Sequence, residues 1–320
     1  MIKAVNVGKT AGSRAGLLKR IRRILRDNGE LYLILLVPLC WLILFKYVPI
    51  YGVQIAFRDF QASDGIWGSE WVGLDNFIKF FQNYMFGRVL KNTVVLSFYQ
   101  LIVSFPFPIL LALALNNTLH TRYKKTVQMI TYMPHFISTV VLVGMIVQFT
   151  NPHVGIINRL ISAFGFQPVD FMALESAFPH LYVWSEVWQN CGWGTIIYLA
   201  ALAGVDNDLH EAAMIDGASR IQRMWYIDLP GIIPTATILL IMNTGRLMDL
   251  GFEKAFLMQN LMNIGASEII STYAYKMGLA SAVSDFSYST TISLFNSIVN
   301  LILIFIVNRI ASKFGETSLW

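Results

Sequence analysis

The chain has 320 residues, of which 55% are hydrophobic and only 13% charged, and its mean hydropathy is +0.55. Soluble domains carry roughly 25% charged residues, so this chain has too few to cover a water-facing surface, which speaks against a soluble single-core enzyme. Its net charge of +5 is modest and unevenly placed, which does not suggest a nucleic-acid partner. The remaining solution is contact with membrane lipid, which requires separate apolar runs of about 20 residues.

The first 30 residues form a basic segment with eight cationic side chains: Lys3, Lys9, Arg14, Lys19, Arg20, Arg22, Arg23 and Arg26. Within it, Gly8-Lys9-Thr10 has the ending of a phosphate-binding loop, but Lys3 stands where the upstream glycine is required, so ATP is not expected to bind there. Six apolar runs follow: Leu31 to Ile50, Asn92 to Leu115, Val127 to Phe149, Leu181 to Ala203, Ile232 to Leu250 and Ser287 to Val307. At about 1.5 Å per residue each reaches roughly 30 Å as a helix, enough to cross the hydrocarbon core. Helix is the expected form, because isolated runs without period-two alternation cannot close a barrel. The first run is followed by others of similar length and reads as a retained span rather than a cleaved signal. Pro38, Pro106, Pro108 and Pro134 fall inside runs and are expected to bend the helices without ending them.

The Tyr51–Lys91 connection is long and rich in aromatic residues, among them Phe57, Trp67, Trp71, Phe77, Phe80 and Tyr84. It suits either an interfacial cap with rings at headgroup level or a docking surface for an external partner. Fifteen Lys and Arg fall in the N-terminal segment, the Asn116–Thr126 and Gly204–Gly231 connections and the tail, against seven in the three longer connections. The positive-inside rule then puts both termini in the cytoplasm, which agrees with an even number of spans. Lys46 lies close enough to the outer end of its span to snorkel. The expected organisation is a basic cytoplasmic segment at 1–30, a six-helix all-α membrane domain at 31–310 and a cytoplasmic tail at 311–320.

Polar residues recur at helical spacing on two runs: Ser97, Gln100 and Ser104 on the second, and Ser293, Asn296, Ser297 and Asn300 on the sixth. Such stripes serve either helix-to-helix contacts or a solute pathway. Glu186 with Trp184, Trp188 and Gln189 is a further pathway candidate, since aromatic faces and polar edges suit sugar rings. Arg246 and Asp249, three apart on the fifth run, are expected either to pair with each other or to meet an acidic sugar. Cys40 and Cys191 lie within runs and form neither a disulfide framework nor a metal cluster. His210-Glu211 begins like a zinc-protease helix, but Met214 stands where the second histidine is needed. No catalytic residue and no metal site are expected.

The fourth connection is the most informative. Asp208 followed by Glu211 has the form of a capping box opening a helix to about Ile215, after which Asp216-Gly217 breaks it. A second amphipathic segment, Ala218 to Trp225, returns the chain to the membrane, with Pro230 early in the next span. Ala212 and Ala213 are small enough for another backbone to approach, and Glu211 offers a charge to a basic partner.

The spacing Glu211-Ala212-Ala213, Gly217, Ile227, Leu229-Pro230 resembles the EAA loop of permease subunits from binding-protein-dependent ABC importers. The stretches Phe45–Phe60, Gly68–Phe77, Tyr132–Ser138, Trp188–Leu202 and Gly251–Leu257 are similar to the carbohydrate-importer branch that handles oligosaccharides derived from polysaccharides. The resemblance implies a type I importer permease in the bacterial cytoplasmic membrane, paired with a second permease as a heterodimer. It also implies two ATPase subunits holding ATP and magnesium, an external solute-binding protein and an oligosaccharide substrate. No cofactor is expected in this chain.

The residues expected to couple to the ATPase are Glu211, Ala212, Ala213, Asp216, Gly217, Ala218, Leu229 and Pro230. Glu211 serves that contact or merely caps its own helix. Pathway candidates are Glu186, Trp188, Gln189, Arg246, Asn296 and Asn300. Alternatives of another class are a permease for a non-sugar solute and an ion-coupled secondary transporter.

Overall fold

Helices carry almost all of the regular structure in the computed structural model, which describes residues 28–314. The basic segment up to residue 27, its Gly8-Lys9-Thr10 sequence and the tail beyond 314 lie outside the described residues. The chain divides into two units, Met1–Gln54 and Ile55–Trp320.

The first unit holds α1 (Gly29–Leu42), which runs through Pro38 and continues as a π-helical turn over Ile43–Tyr47. Apart from Glu30 in the first turn, α1 presents apolar side chains around its whole circumference, the composition of a helix solvated by lipid rather than water.

The second unit opens with a small antiparallel pair, β1 (Arg58–Asp59) and β2 (Glu70–Trp71), with Arg58 opposite Trp71. The Arg58 guanidinium donates to the Ser69 carbonyl at 2.7 Å, and the Phe57 and Trp71 rings stack at 5.6 Å. Helix α2 (Asp75–Gln82) follows, and Asn83 then caps α3 (Tyr84–Ser104) by accepting from the Met85 N–H. The aromatic connection is therefore not simply a cap at the interface. Phe80 is completely buried and meets Phe86, Phe295 and Tyr288 edge to face, while Trp67 and Trp71 stay exposed.

Helix α4 (Pro106–Asn116) continues α3 past a break at Phe105, where proline supplies no N–H. The third predicted span is two arms, α5 (Thr121–Tyr132) extended by a 3-10 turn over Met133–Phe136, and α6 (Thr139–Thr150), bent by 101° at Ile137–Ser138. Pro134 sits where the α-helix tightens into this 3-10 turn just before the bend, and Ser138 caps the restart by accepting from the Val141 N–H. Helix α7 (Ile156–Ala163) carries the buried Asn158, whose amide donates to Thr150, Asn151 and Val169 carbonyls and accepts from the Val169 N–H.

Helix α8 (Phe178–Leu202) crosses the middle of the unit, contributing to two of its apolar clusters. Gly192 is required there, since a Cβ would collide with the Thr131 backbone of α5. Then come α9 (Asn207–Ile215), α10 (Arg220–Arg223), a π-helical turn to Asp228 and α11 (Leu229–Thr244). The fifth predicted run overshoots: α11 stops at Thr244, and Gly245–Met248 is a turn. Helices α12 (Phe252–Met258), α13 (Ile270–Tyr275) and α14 (Phe286–Phe314) complete the unit.

Among the described residues, Gly29–Phe57, Tyr84–Asn116, Arg220–Thr244 and Phe286–Lys313 are long and apolar enough to cross a membrane, and the bent α5–α6 pair adds a fifth if it is one span. Helix α8 is as long, with 25 residues, but Ser185, Glu186, Gln189 and Asn190 dilute its apolar character.

Candidate functional site

A cavity of about 710 Å³ opens between α3, α4, α8 and the end of α11. Its polar wall is the stripe on α3. Ser97 Oγ, Gln100 Oε1 and Ser104 Oγ are buried and have no hydrogen-bond partner in the chain, so each is available to a polar solute after a small side-chain movement. The facing wall comes from α8, with Glu186, Asn190 and Trp193. His135, from the turn between α5 and α6, stacks on Trp193 at 4.5 Å and bonds Asn190 through Nδ1 at 2.8 Å.

A second space of about 440 Å³ shares Gln100, His135, Glu186 and Asn190 with the first. Between them Glu186 is fully engaged: Oε1 accepts from the Asn190 amide at 2.6 Å, and Oε2 meets Lys254 Nζ at 3.0 Å. Lys254 is 4% exposed, donates also to the Tyr182 carbonyl at 2.9 Å and lies over the Tyr182 ring. Burial pulls the Lys254 ammonium below its ordinary value, and the Glu186 carboxylate draws it back up. Lys254 escaped the sequence reading because a lone lysine between two spans carries no periodic signal.

The pathway candidates separate accordingly. Glu186 and Arg246 reach the main cavity wall, and Gln189 lines the second space while donating to the Ile137 carbonyl at 2.8 Å. Trp188 is half exposed and lines neither space. Asn296 and Asn300 also lie off the cavity. Asn296 donates to Asp249 Oδ1 at 2.8 Å, and Asn300 accepts from the Met248 N–H at 2.9 Å, so both anchor the turn after α11. The expected Arg246–Asp249 ion pair does not form, because α11 ends before either residue and Asp249 turns to Asn296. Among the described residues no carboxylate lies within 4 Å of the Arg246 guanidinium, which is exposed at the cavity wall. No group of three or more His, Cys, Asp or Glu among the described residues is arranged to hold a metal.

At the other end of α8 the fourth connection forms the expected helix, turn and helix, but its first cap differs. Asp206, not Asp208, caps α9, accepting from the Asp208 N–H at 3.0 Å, so the Asp208–Glu211 box is not formed. The chain turns two residues earlier than the motif suggests, which leaves Asp208 in the first helical turn. Glu211, Ala212, Asp216 and Gly217 are exposed, while Ala213 and Ala218 are half-buried.

Gly217 has φ +77°, and its N–H reaches the Met214 carbonyl while Ala218 N–H reaches that of Ala213, a Schellman closure. Two residues on, Ser219 and Gln222 cap α10 reciprocally, so the capping box sits on the second helix. Leu229 packs into the apolar cluster with Ala112, Tyr198 and Ile232, and Pro230 occupies the first turn of α11.

One buried group here carried no sequence signal. Asp228 is 1% exposed and accepts from two amides, Asn116 and Asn117 at the end of α4, each at 3.3 Å, while His210 Nε2 of α9 lies 3.3 Å from its Oδ1.

Residues 84–315 match the family model of the binding-protein-dependent transport system inner membrane component. Protein LplB of Bacillus subtilis (strain 168) is 43% identical over 296 residues, covering 92% of each chain. The polygalacturonan/rhamnogalacturonan transport system permease protein YteP of the same organism is 44% identical over 302 residues, covering 94% of each. Among solved structures, a chain of a bacterial alginate ABC transporter in complex with an alginate pentasaccharide-bound periplasmic protein superposes with a TM-score of 0.84. It is 34% identical and is covered completely by 94% of this chain. The chain belongs to the family of binding-protein-dependent transport system inner membrane components, and it is a transport subunit rather than an enzyme.

Proposed function

We propose that the chain is a permease subunit of an ATP-driven importer of oligosaccharides derived from polysaccharides, and that its two polar features are the two ends of one machine. The observation that carries this is the placement of an exposed, doubly capped Glu211–Gly217 segment on the same continuous elements, α8 and α11, whose other ends wall a polar cavity. The segment is a rigid handle for an ATPase subunit, and the cavity is half of the solute path, completed by a second permease. ATP and magnesium belong to two ATPase subunits. Closure of those subunits moves the 208–230 element as a body and re-aims the cavity, a rigid-body form of alternating access.

The chain sits in the bacterial cytoplasmic membrane, surrounded by lipid, with six spans and both termini inside. Helix α8 and the broken α5–α6 pair account for the two spans that length and composition alone do not secure. An external solute-binding protein delivers the solute, as in the complex of the alginate transporter. Arg246, which has no carboxylate partner among the described residues, and the acidic polysaccharide named for the similar alginate transporter support an acidic sugar as the preferred cargo.

Uptake into vesicles tests the assignment, with a short oligogalacturonide as probe and the membrane potential collapsed while ATP is present. Persistent uptake is expected. Loss of uptake under those conditions would favour an ion-coupled transporter, and uptake of a peptide but of no sugar would favour a non-sugar permease.

A further inference from the structure

Helix α9 stands away from the rest of the unit. None of its residues is buried, and a groove of about 580 Å³, lined by Asp206, Leu209, Tyr226 and Pro230, runs between it and the start of α11. A lever that moves must nevertheless be tied to what it moves. A polar tie from α9 is His210, whose Nε2 lies 3.3 Å from Asp228 Oδ1, within ion-pair distance. Asp228 closes the π-helical turn that leads directly into α11, and its two oxygens also hold Asn116 and Asn117 at the end of α4. One buried carboxylate thus joins the lever, the foot of the α3–α4 stretch and the foot of α11.

We infer that Asp228 is the pin through which displacement of α9 is passed to the two cavity-lining stretches, with His210 as the positioning residue that links the lever to it. The inference rests on the reading of Asp208–Pro230 as the ATPase-coupling element. The chemistry suits a pin. A buried carboxylate strongly resists losing a donor, because the remaining charge is left underpaired, so the three elements move together rather than slide. The apolar contacts of Leu229 resist separation but not sliding, since they are non-directional. The side chains of Asn116 and Asn117 are also short, which limits slack between Asp228 and α4.

The test uses the assembled importer in vesicles and a readout independent of the sugar. Cys191 lies on the cavity wall, so its labelling by a membrane-impermeant thiol reagent, with and without ATP plus vanadate, reports which way the cavity opens. All other cysteines, Cys40 included, are replaced by serine. In the parent complex, labelling should change with nucleotide. In His210→Ala and Asp228→Asn that change should shrink at least about tenfold, the scale of losing a hydrogen bond to a buried charge, while ATP hydrolysis stays within about twofold. His210→Gln, which keeps a donor, should restore most of the change, and the double variant should be no worse than either single one.

Unaltered nucleotide-dependent labelling in His210→Ala overturns the pin. If Glu211→Lys abolishes the labelling change while His210→Ala does not, the pin alone is wrong. If neither substitution matters, or Cys191 ignores nucleotide in the parent, the coupling reading beneath it is wrong. Should Asp228→Asn fail to assemble, the exposed-side substitutions His210→Ala and His210→Gln still decide the matter.

Discussion

The ammonium of Lys254 lies 3.0 Å from the Glu186 carboxylate, fastening the short helix after the fifth predicted span to the wall of the cavity. The two charges differ in burial, Lys254 at 4% exposure and Glu186 side chain at 24%, so they are not interchangeable. Removing Glu186 strands a buried cation that has only the Tyr182 carbonyl and ring left, whereas removing Lys254 leaves a carboxylate still held by Asn190. Breaking a fully buried pair costs roughly 3–5 kcal/mol, and the partial exposure here reduces that to about 2–4. Glu186→Ala should therefore lower the unfolding midpoint in detergent. The Glu186→Ala/Lys254→Met pair should recover part of the loss, and a double variant less stable than Glu186→Ala alone would refute the coupling.

Arg246 offers the cavity a planar guanidinium with no carboxylate partner among the described residues. If it receives the carboxylate of an acidic sugar, Arg246→Gln should cut oligogalacturonide uptake by about tenfold or more, the scale of a lost charge-assisted contact, while sparing a neutral oligosaccharide. Arg246→Lys keeps the charge but loses the fork and should fall between. Competition uptake in vesicles measures this, and equal losses for acidic and neutral probes would mean that Arg246 acts on the fold or the gate instead.

The positive φ of Gly217 closes α9. Alanine there should strain the turn by about 1–2 kcal/mol, and proline, fixed near φ −65°, cannot adopt it. Gly217→Pro should leave membrane insertion intact but raise ATP consumed per solute imported, as should Glu211→Lys. Unchanged coupling in both variants at parental expression would remove this segment from the ATPase contact.

Gly192 and Gly87 form a matched control. A Cβ at Gly192 meets the Thr131 backbone, while one at Gly87 meets nothing within 4 Å. Gly192→Ala should destabilise by about 1–3 kcal/mol, as overpacking does, and Gly87→Ala, inside α3, should stabilise by about 0.5–1. Thermal unfolding of both variants in the same detergent checks the ordering, which reverses if α5 and α8 can separate freely.

Hydropathy made much of this fold legible, because runs of apolar residues long enough to reach across lipid have few alternatives. What it could not see were local decisions made by single side chains. Asn83 starts α3 eight residues before the apolar run does, and Ser138 restarts a helix at a steep angle where the run looks continuous. The overshoot past Thr244 has the same origin: Leu247 in the turn and Leu250 just after it are apolar and buried without extending the helix.

The candidate site divides along similar lines. The stripe Ser97, Gln100 and Ser104 was readable because helical spacing put it on one face, and that face proved to be the cavity wall. The same spacing on α14 grouped residues with different fates, since Asn296 and Asn300 are buried and bonded while Ser293 and Ser297 are exposed. Periodicity assigns a face but not what lies opposite. Lys254 and Asp228 gave no signal at all, because their importance comes from partners up to 112 positions away in the chain: Lys254 meets Glu186, and Asp228 meets Asn116 and His210.

The bareness of α9 also bears on how the protein must be made. Leu209, Met214 and Ile215 stand more than half open to water, Ile215 at 87%. Synthesised in excess of whatever covers that helix, the chain would offer greasy side chains to proteases and to its own copies. If α9 is the handle of an ATPase subunit, as proposed, the lifetime of the chain in the cell is tied to a matched supply of that partner, and overproduction alone would yield a short-lived orphan.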